Sequence, residues 1–476
     1  MDIDAVRKSL REIGQDHVLR FYETLDAAAQ RKLMAQLEAL DFAAVADLAE
    51  TYVRNKPPAP LPKEILPVVP YPRTADKERR SLYKKAQARG QQLLREGKIG
   101  AFLVAGGQGT RLGYDGPKGQ FPVTPIKQKP LFQIFAEQLL AHGRESGHAV
   151  PWYIMTSDAN DAATRAFFET NHYFGLKKSD VFFFIQGVMP AFGMDGRLLL
   201  AEKDSLALSP DGHGGSLRSL HKSGALCDMR DRGVEHLSYF QVDNPLVHCI
   251  DALFLGLHDL TGSEMSSKTV TKAHALEKVG NFVIGDGALQ VIEYSDLPER
   301  LALETDGAGN PRFNAGSIGI HALRVGFIER LNASGRLSLP WHRAEKKVPF
   351  IDDAGQLVKP DKPNAVKLEQ FVFDAIPVAT DAIAYETLRG EEFSPVKNAD
   401  GADSPATCQR DQIRRAARWL SEVGVGVPMK ANEQSKEADP DAVLEISPLL
   451  AANSEQLRHA LKDRPAISAG QTVYLG

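Results

Sequence analysis

The sequence predicts an α/β fold in which helices flank a mainly parallel, mixed sheet, with a helical N-terminal region and a small C-terminal domain. Two observations lead to this prediction. From Lys98 onward, short apolar runs alternate with amphipathic stretches, which is the order expected when each strand is followed by a crossover helix. The runs are continuously apolar, which is typical of strands buried on both faces of a sheet.

Ahead of this alternation, residues 1 to about 55 are predicted to form helices. Apolar residues recur there at helical spacing, namely Val6, Leu10, Ile13, Val18 and Phe21. Asp26 is placed to cap a second helix. The proline-rich stretch "RNKPPAPLPKEILPVVPYPR" then predicts an extended connector, because proline fixes φ and interrupts helices. We assign residues 1–97 to this helical region and its connector.

The main α/β domain is assigned to residues 98–384. Its predicted strands lie in "IGAFLVAGG", "PWYIMTS", "DVFFFIQ" and "LSYFQVDNPLV". The helices lie in "KPLFQIFAEQLLAHGRE", in "DANDAATRAFFET" with Asp158 as its cap, and in "GGSLRSLHKSGALCDMRDRG". In "GNFVIGDGALQVIEYS", two short runs joined by Gly-Asp-Gly predict a hairpin at the rim of the sheet. Residues 385–476, with the helix "CQRDQIRRAARWLSEVG" and strand-like runs in the tail, form the predicted C-terminal domain.

Composition excludes several classes of function. The chain has 476 residues and a formal net charge of -4, so it has no long-range positive field to attract nucleic acid or an anionic membrane. Its three cysteines lack the spacing of a zinc site or a disulfide framework. No apolar run is long enough to span a membrane, and the N-terminus lacks the apolar core of a signal peptide. We therefore expect a cytoplasmic protein.

The most informative stretch is "FLVAGGQGTRLGYDGPKGQFPV", residues 102–123. A buried strand ends in several glycines, and Arg111 and Lys118 follow closely. Glycines let the backbone approach a ligand and present N–H groups to it, and ligands bind at the carboxyl ends of parallel strands. The pattern departs from the dinucleotide fingerprint at Leu112 and from the P-loop at Pro117-Lys118-Gly119. It predicts a nucleotide-phosphate site, with a tight surface turn as the alternative.

Two further motifs carry similar chemistry. "SPDGHGG" is a second glycine-rich turn that opens a helix, where anions and close contacts are favoured, although a plain helix-initiating turn would have the same pattern. In "QVDNPLV", Asp243 lies at a strand end. A carboxylate beside a triphosphate is a natural Mg²⁺ ligand, and a turn or capping aspartate is the alternative.

These motifs carry a family resemblance. "LVAGGQGTRLG…PKG" resembles the signature of the nucleotidyltransferases that make UDP-sugars, and the chain as a whole resembles the eukaryotic-type UDP-N-acetylhexosamine pyrophosphorylases of the UDPGP type 1 family. The similarity continues in family order through "QGVMPAF", "SPDGHGG", "QVDNPLV", "VIEYSDL", "FNAGSIGIH", "KPNAVKLEQFVFDAI", "EEFSPVKNADG" and "LEISPLL". It implies a Rossmann-like, GT-A-like nucleotidyltransferase fold.

The resemblance also implies residue roles. Arg111 and Lys118 would hold the β- and γ-phosphates, and Lys397 would contact the α-phosphate. The nucleotide-binding residues would be Ala105, Gly106, Gly107, Gln186, Gly212, His213 and Asp243, with Mg²⁺ (or Mn²⁺) at Asp243. The sugar-binding residues would be Gly280, Glu293, Tyr294, Asn314, Phe371 and Phe373. From the residues alone, the two phenylalanines could equally be core. Asparagine is usual in this family at the position of His213, whereas histidine is more typical of UDP-glucose pyrophosphorylases.

The implied reaction is UTP plus an N-acetylhexosamine 1-phosphate giving UDP-N-acetylglucosamine or UDP-N-acetylgalactosamine and pyrophosphate. The attacking phosphate oxygen is already anionic, so in-line attack on the α-phosphorus needs no general base. Two alternatives stay open at this point, a UDP-glucose or broad-specificity UDP-sugar pyrophosphorylase and a catalytically silent UDP-sugar-binding protein. The expected partners are these small molecules, with neither nucleic acid nor membrane, and the sequence leaves the oligomeric state, monomer or homodimer, open.

Overall fold

The computed structural model describes residues 2–57, 61–335, 337–431 and 438–476. The chain divides into two compact units. Unit 1 comprises Met1–Leu61, Gln186–Arg218 and Leu337–Asp374, and unit 2 comprises Pro62–Ile185, Ser219–Arg336 and Ala375–Gly476. The three-part division made from the sequence stays a prediction. The middle of the predicted connector, residues 58–60, lies outside the described residues.

Unit 2 is built on a ten-stranded sheet. Its strands are β1 (Ile65–Pro67), β2 (Ile99–Val104), β3 (Trp152–Thr156), β4 (Val181–Ile185), β5 (His236–Gln241), β6 (Met265–Thr271), β7 (Asn281–Gly285), β8 (Ala288–Ile292), β9 (Ala315–Arg324) and β10 (Ile383–Glu386). The order across the sheet is β1-β7-β9-β5-β2-β3-β4, while β6 pairs with β9 and β10, and β8 pairs with β7.

The four strands predicted from apolar runs form the parallel part of this sheet. β5, β2, β3 and β4 lie side by side in parallel, whereas β9 pairs antiparallel with β5, β6 and β7. Phe102, Tyr153 and Tyr239 on these strands are completely buried. The predicted α/β fold with a mixed sheet is therefore confirmed.

The predicted hairpin is also present. β7 and β8 pair antiparallel, and Asp286 and Gly287 between them have φ values of 49° and 85°. Two consecutive left-handed residues form the primed type of turn that matches the twist of a two-stranded hairpin. β8 ends at Ile292, so the chain leaves the strand immediately before Glu293.

Unit 2 also contains helices, several of which pack on its sheet. They are Arg80–Arg95, Leu131–Ser146, Asp161–Thr170, Ala225–Arg232, Ala252–Leu260, Glu299–Ala302, Val325–Asn332, Arg389–Glu392, Pro405–Glu422 and Ser454–Ala460. Short strands Met429–Lys430, Asp439–Pro440, Ala442–Ile446 and Gln471–Leu475 complete the unit, the last two pairing in parallel. The described helices include none that is both long and apolar enough to cross a membrane.

Two predictions about helices are wrong. Asp158 does not cap the helix after β3, because that helix begins at Asp161 and Asn160 occupies the capping position. The stretch predicted as one helix after "SPDGHGG" forms two, Gly215–Lys222 and Ala225–Arg232. Gly224 separates them with a φ of 83°, a left-handed conformation that a continuous helix does not accommodate.

Unit 1 contains the predicted N-terminal helices, which are Ile3–Glu12, Ala27–Glu38 and Phe42–Leu48. Asp26 caps the second, accepting hydrogen bonds of 2.9 Å from the backbone N–H groups of Ala28 and Ala29. The helices pack on short strands, namely Val188–Pro190, Phe192–Gly193, Leu200–Glu202, Ser205–Leu206, Leu208–Pro210, His342–Lys346, Phe350–Ile351, Leu357–Val358 and Ala365–Glu369. Val6, Leu10, Phe192 and Leu368 lie in the shared core.

Candidate functional site

The glycine loop that follows β2 closes on itself. The backbone N–H of Lys118 donates to the carbonyl of Gly107 at 3.1 Å, and that of Gly109 donates to Gly116 at 2.8 Å. This closure brings Lys118 back to the carboxyl end of β2. Gly107 is exposed, and a Cβ atom at this position would meet no other atom within 4 Å. The loop therefore leaves open space beside its backbone, as a nucleotide requires.

Two side chains from the segment after β3 hold this loop in place. Asn160 Nδ2 donates to the carbonyls of Ala105 at 2.9 Å and Gly107 at 3.3 Å, and Ser157 Oγ donates to that of Gly106 at 2.9 Å. Asn160 is 1% exposed. The carbonyls of Ala105, Gly106 and Gly107, the three predicted nucleotide-binding residues in this loop, are thus all engaged, which fixes the peptide planes. Sequence reasoning missed Asn160, whose only signal was an amide side chain shortly after a parallel strand.

The last glycine of the "PKG" segment has a packing role. A Cβ atom at Gly119 would lie 2.1 Å from Cζ of Phe132, in the helix Leu131–Ser146. That distance is far inside van der Waals contact, and the obstacle is a fully buried ring. Glycine at this position lets the turn carrying Lys118 pack directly on the helix.

The structure brings Asp243, Arg111 and Lys397 within electrostatic range of Lys118. Burial lowers the pKa of Lys118, the Asp243 carboxylate opposes this shift, and the charges of Arg111 and Lys397 lower the pKa further. Within the described residues, the side chains of Arg111 and Lys118 have no hydrogen-bond or ion-pair partner. Lys397 Nζ lies 3.7 Å from the Asp403 carboxylate. A partly buried cluster with excess positive charge is suited to bind a polyanion.

Strand pairing explains why Asp243 is near the glycine loop. Gln241 at the end of β5 pairs with Val104 at the end of β2, so the residues that follow both strands emerge at the same edge. The carbonyl of Asp243 accepts a hydrogen bond of 2.7 Å from the backbone N–H of Val396, which places the next residue, Lys397, nearby.

A divalent metal would have a simple donor set here. Among the described residues, no group of three or more histidine, cysteine or acidic side chains is arranged to hold a metal ion. Asp243 is a single half-buried carboxylate. One carboxylate combined with phosphate oxygens is a usual environment for Mg²⁺, so this residue fits an ion that is held mainly by a nucleotide.

Four of the predicted sugar-binding residues lie in unit 2, around the β7–β8 hairpin. A Cβ atom on Gly280 would lie 3.7 Å from Glu293 Oε1, so these two positions are adjacent. Asn314 immediately precedes β9, and Asn281, next to Gly280, pairs with Gly316 of that strand. Glu293 and Tyr294 follow the end of β8, and Tyr294 is 48% exposed.

The residues predicted to bind uracil, and the two phenylalanines predicted to bind the sugar, lie together in unit 1. Gln186 Nε2 donates to the carbonyl of Gly212 at 3.1 Å, and the His213 ring stacks on Phe371 with centroids 5.2 Å apart. Phe373 lies 5.1 Å from Phe371 and 5.8 Å from His213. The segment is not a strand, because a 3₁₀ helix begins at Val372. The two phenylalanines, which the resemblance assigns to the sugar, therefore contact the residue that it assigns to the base.

His213 is neutral and has one fixed tautomer. Burial lowers its pKa to about 4, and His342 contributes in the same direction. The backbone N–H of Val372 donates to Nδ1 at 3.1 Å, so Nδ1 is an acceptor and the ring proton must be on Nε2. His213 consequently offers one N–H donor, as an asparagine amide would.

A cavity of about 740 Å³ in unit 2 has a different lining. It is bordered by the helices Arg80–Arg95 and Leu131–Ser146 and includes His142, Asp251 and Glu392, with none of the predicted site residues. Cavity size alone does not define a site, whereas two cations beside a glycine loop, without partners in the described part of the chain, are suited to bind phosphate groups. We therefore place the candidate site at the strand ends.

Comparison with known proteins agrees with this geometry. The UDPGP family model, described as UTP–glucose-1-phosphate uridylyltransferase, matches residues 50–403. The chain belongs to the UDPGP family. Within this family, it is 38% identical to UDP-N-acetylhexosamine pyrophosphorylase-like protein 1 of Xenopus tropicalis, over 97% of this chain and 94% of that protein.

Two further proteins are similar to this chain over nearly its whole length. The probable UDP-N-acetylglucosamine pyrophosphorylase of Dictyostelium discoideum is 32% identical, over 98% of this chain and 97% of that protein. The solved structure of uridine diphosphate N-acetylglucosamine pyrophosphorylase from Trypanosoma brucei, in complex with an inhibitor, is similar with a TM-score of 0.81 and 26% identity. That match covers 99% of this chain and 98% of the other. The predicted family is confirmed.

Proposed function

We propose that this UDPGP-family protein is a uridylyltransferase that forms a UDP-N-acetylhexosamine, foremost UDP-N-acetylglucosamine, and pyrophosphate from UTP and the sugar 1-phosphate. The observation that carries the proposal is a pair of cations, Arg111 and Lys118, whose side chains have no partner among the described residues and which lie on a closed glycine loop beside Lys397 and Asp243. The names of the full-length relatives from Xenopus and Dictyostelium support the same chemistry.

The reaction relies on positioning and charge. A phosphate oxygen of the sugar 1-phosphate attacks the α-phosphorus of UTP in line, a new P–O bond forms, and the bond to the bridging oxygen of pyrophosphate breaks. Arg111 and Lys118 hold the β- and γ-phosphates and neutralise the charge that accumulates on the departing pyrophosphate. Lys397 contacts the α-phosphoryl group, whose oxygens carry charge in the transition state. The nucleophile is already anionic, so no residue has to remove a proton.

Asp243 would hold Mg²⁺ or Mn²⁺ together with phosphate oxygens, and the bound ion would supply further charge neutralisation at the phosphates. The half-buried carboxylate beside Lys118 supports this assignment.

The base and the sugar would be recognised by separate groups. His213 Nε2–H would donate to a uracil carbonyl, next to Gln186 and Gly212, and the fixed tautomer supports this role. Glu293 would accept hydrogen bonds from sugar hydroxyls, with Gly280, Tyr294 and Asn314 around it. The proposed location is the cytoplasm, which is supported by three free cysteines, Cys227, Cys249 and Cys408.

A panel of sugar 1-phosphates tests the proposal. Pyrophosphate release from UTP should be fastest with N-acetylglucosamine 1-phosphate, slower with N-acetylgalactosamine 1-phosphate, and at least about tenfold slower with glucose 1-phosphate, since one unfilled pocket contact is worth about 1–3 kcal/mol. Preference for glucose 1-phosphate would favour a UDP-glucose pyrophosphorylase. Binding of UDP-sugar without Mg²⁺-dependent exchange of labelled pyrophosphate would favour a catalytically silent protein.

A further inference from the structure

Lys268 is a charged side chain inside unit 2 that the mechanism above does not use. It lies on β6 and is 1% exposed. Its Nζ is 2.6 Å from Asp251 Oδ2, it also donates to Glu392 Oε1, and it lies 5.2 Å from the ring centroid of Phe254. Moving a charge out of water costs several kcal/mol, so such a lysine needs partners of opposite charge.

Lys268 and Asp251 both keep their charge in this cluster. Burial opposes the charge on Lys268, but Asp251 and Glu392 outweigh burial and raise the pKa of the lysine. Burial likewise opposes the charge on Asp251, and Lys268 is the main group that lowers the pKa of this carboxyl. Buried ion pairs add little net stability relative to well-packed apolar residues, whereas they hold their partners in a defined geometry.

Glu392 connects this cluster to the segment that carries Lys397. Its side chain accepts a hydrogen bond from Thr387 Oγ1 at 3.1 Å in addition to that from Lys268. Its carbonyl accepts from Asn244 Nδ2 at 2.6 Å, and Asn244 Oδ1 accepts from the backbone N–H of Ser394 at 3.1 Å. The side chain and the main chain of Glu392 are therefore both fixed, and Asn244 follows Asp243 directly.

Lys397 itself is weakly held. Its side chain is 39% exposed, the Asp403 carboxylate is 3.7 Å away, and the ring centroid of Phe393 is 5.8 Å from Nζ. None of these contacts is a short hydrogen bond. The position of the ammonium group therefore depends on the backbone that leads to it, which Asn244 and the Asp243 carbonyl fix at Glu392, Ser394 and Val396.

We infer that Lys268 and Glu392 form a buried positioning pair that sets Lys397 relative to Asp243 and hence to the α-phosphoryl group. The inference rests on the proposed function for the role of Lys397. The anchoring of the segment is a separate property of the fold and can be measured without catalysis.

Glu392→Gln tests the pair. The amide keeps the length of the side chain, and its oxygen can still accept from Thr387 Oγ1 and Lys268 Nζ, so the variant removes the negative charge of the pair while Lys268 retains Asp251. We expect kcat to fall roughly ten- to hundredfold, because a misplacement of about 1 Å near the reacting group has an effect of this size. KM for UTP should change by less than about threefold, because Lys397 acts mainly on the transition state. In the Lys397→Ala background, Glu392→Gln should cause no further loss, since it acts through the missing ammonium group.

Glu137→Gln is the matched control. Glu137 forms another buried pair, with Lys129 at 2.7 Å, and its other hydrogen-bond partners are Gln133 and Ser447. This variant should keep kcat within about twofold. If Glu392→Gln folds poorly, Thr387→Val replaces it, because this change removes the hydroxyl donor to Glu392 Oε1 without adding a charge and should lower kcat in the same direction.

Amide hydrogen exchange gives a readout that does not need activity. The amides of Ser394 and Val396 should exchange faster in Glu392→Gln than in the wild type or in Glu137→Gln, because their segment opens more easily. Unchanged exchange at these amides overturns the inference, and so does an additive loss of kcat in the double variant. A wild type without pyrophosphate release overturns the proposed function instead, and the exchange measurement still decides whether the pair anchors the segment.

Discussion

Lys118→Met removes one positive charge from the glycine loop and keeps the length of the side chain. The loop itself should survive, because the hydrogen bond from residue 118 to the Gly107 carbonyl comes from the backbone. In the absence of nucleotide, burial and the like charges of Arg111 and Lys397 disfavour the ammonium group, and only Asp243 favours it. We therefore expect the melting temperature of the nucleotide-free variant to be unchanged or raised.

The kcat of the variant should fall, although its melting temperature does not. A positioned group that stabilises developing charge contributes about 100- to 1000-fold in kcat, or about 2.7–4 kcal/mol. Binding of UTP should weaken as well. At a UTP concentration of about 100 times the wild-type Kd, UTP stabilises the folded protein by about 2.7 kcal/mol, and a tenfold weaker Kd in the variant would reduce this to about 1.4 kcal/mol.

Two assays on the same preparation measure these effects. Thermal melting with and without UTP gives the stability of each form, and a coupled assay of pyrophosphate release gives kcat. Lys84→Met removes an equal charge from an exposed site on the helix Arg80–Arg95 and should change neither quantity. The reasoning is refuted if Lys118→Met melts well below the wild type without UTP, or if its kcat stays within about threefold.

Two further predictions concern histidines, His142 for the pH dependence of stability and His213 for UTP binding. Burial lowers the pKa of His142 to about 4 in the folded protein against about 6.5 unfolded, so its contribution to stability is complete above pH 6.5 and is lost as pH falls toward 4. The free energy of unfolding, measured by urea titration, should therefore fall between pH 7.5 and pH 5 by about 2 kcal/mol less in His142→Gln than in the wild type. An equal fall in both proteins would contradict this. His213→Ala should raise KM for UTP about tenfold through the lost hydrogen bond, while His213→Asn keeps a donor and should stay close to the wild type. Equal KM values in initial-rate measurements for all three proteins would exclude contact between His213 and the base.

The parallel strands could be predicted because their side chains are apolar on both faces. β6 could not, although it is equally buried. Its residues Ser266, Ser267, Lys268 and Thr269 are at most 1% exposed, yet all are polar. Ser266 and Ser267 form hydrogen bonds of 2.8 Å with His258 and His321, and Lys268 meets carboxylates from distant segments. Partners supplied from elsewhere in the chain leave no periodic pattern within the strand.

The candidate site was predictable to the extent that its residues are chemically distinctive. The glycine loop, Arg111, Lys118 and Asp243 could be named because charge and bare backbone are visible in a sequence. Asn160 and Asn244 could not, because they act on backbone carbonyls and N–H groups, which every residue type can offer. The wrong cap at Asp158 has the same origin, since Asn160 occupies that turn and directs its amide to the glycine loop.

The contact between Gly119 and Phe132 changes how the signature "PKG" should be understood. Its lysine serves phosphate binding and its glycine serves packing, so two residues of one motif are subject to different physical constraints. The fit involves a second residue thirteen positions later, and the pair behaves as one steric unit. Alanine at 119 would be tolerable only with a smaller side chain at 132. A chain can therefore keep every charged residue of this signature and still lose the geometry of its lysine through a substitution in the neighbouring helix.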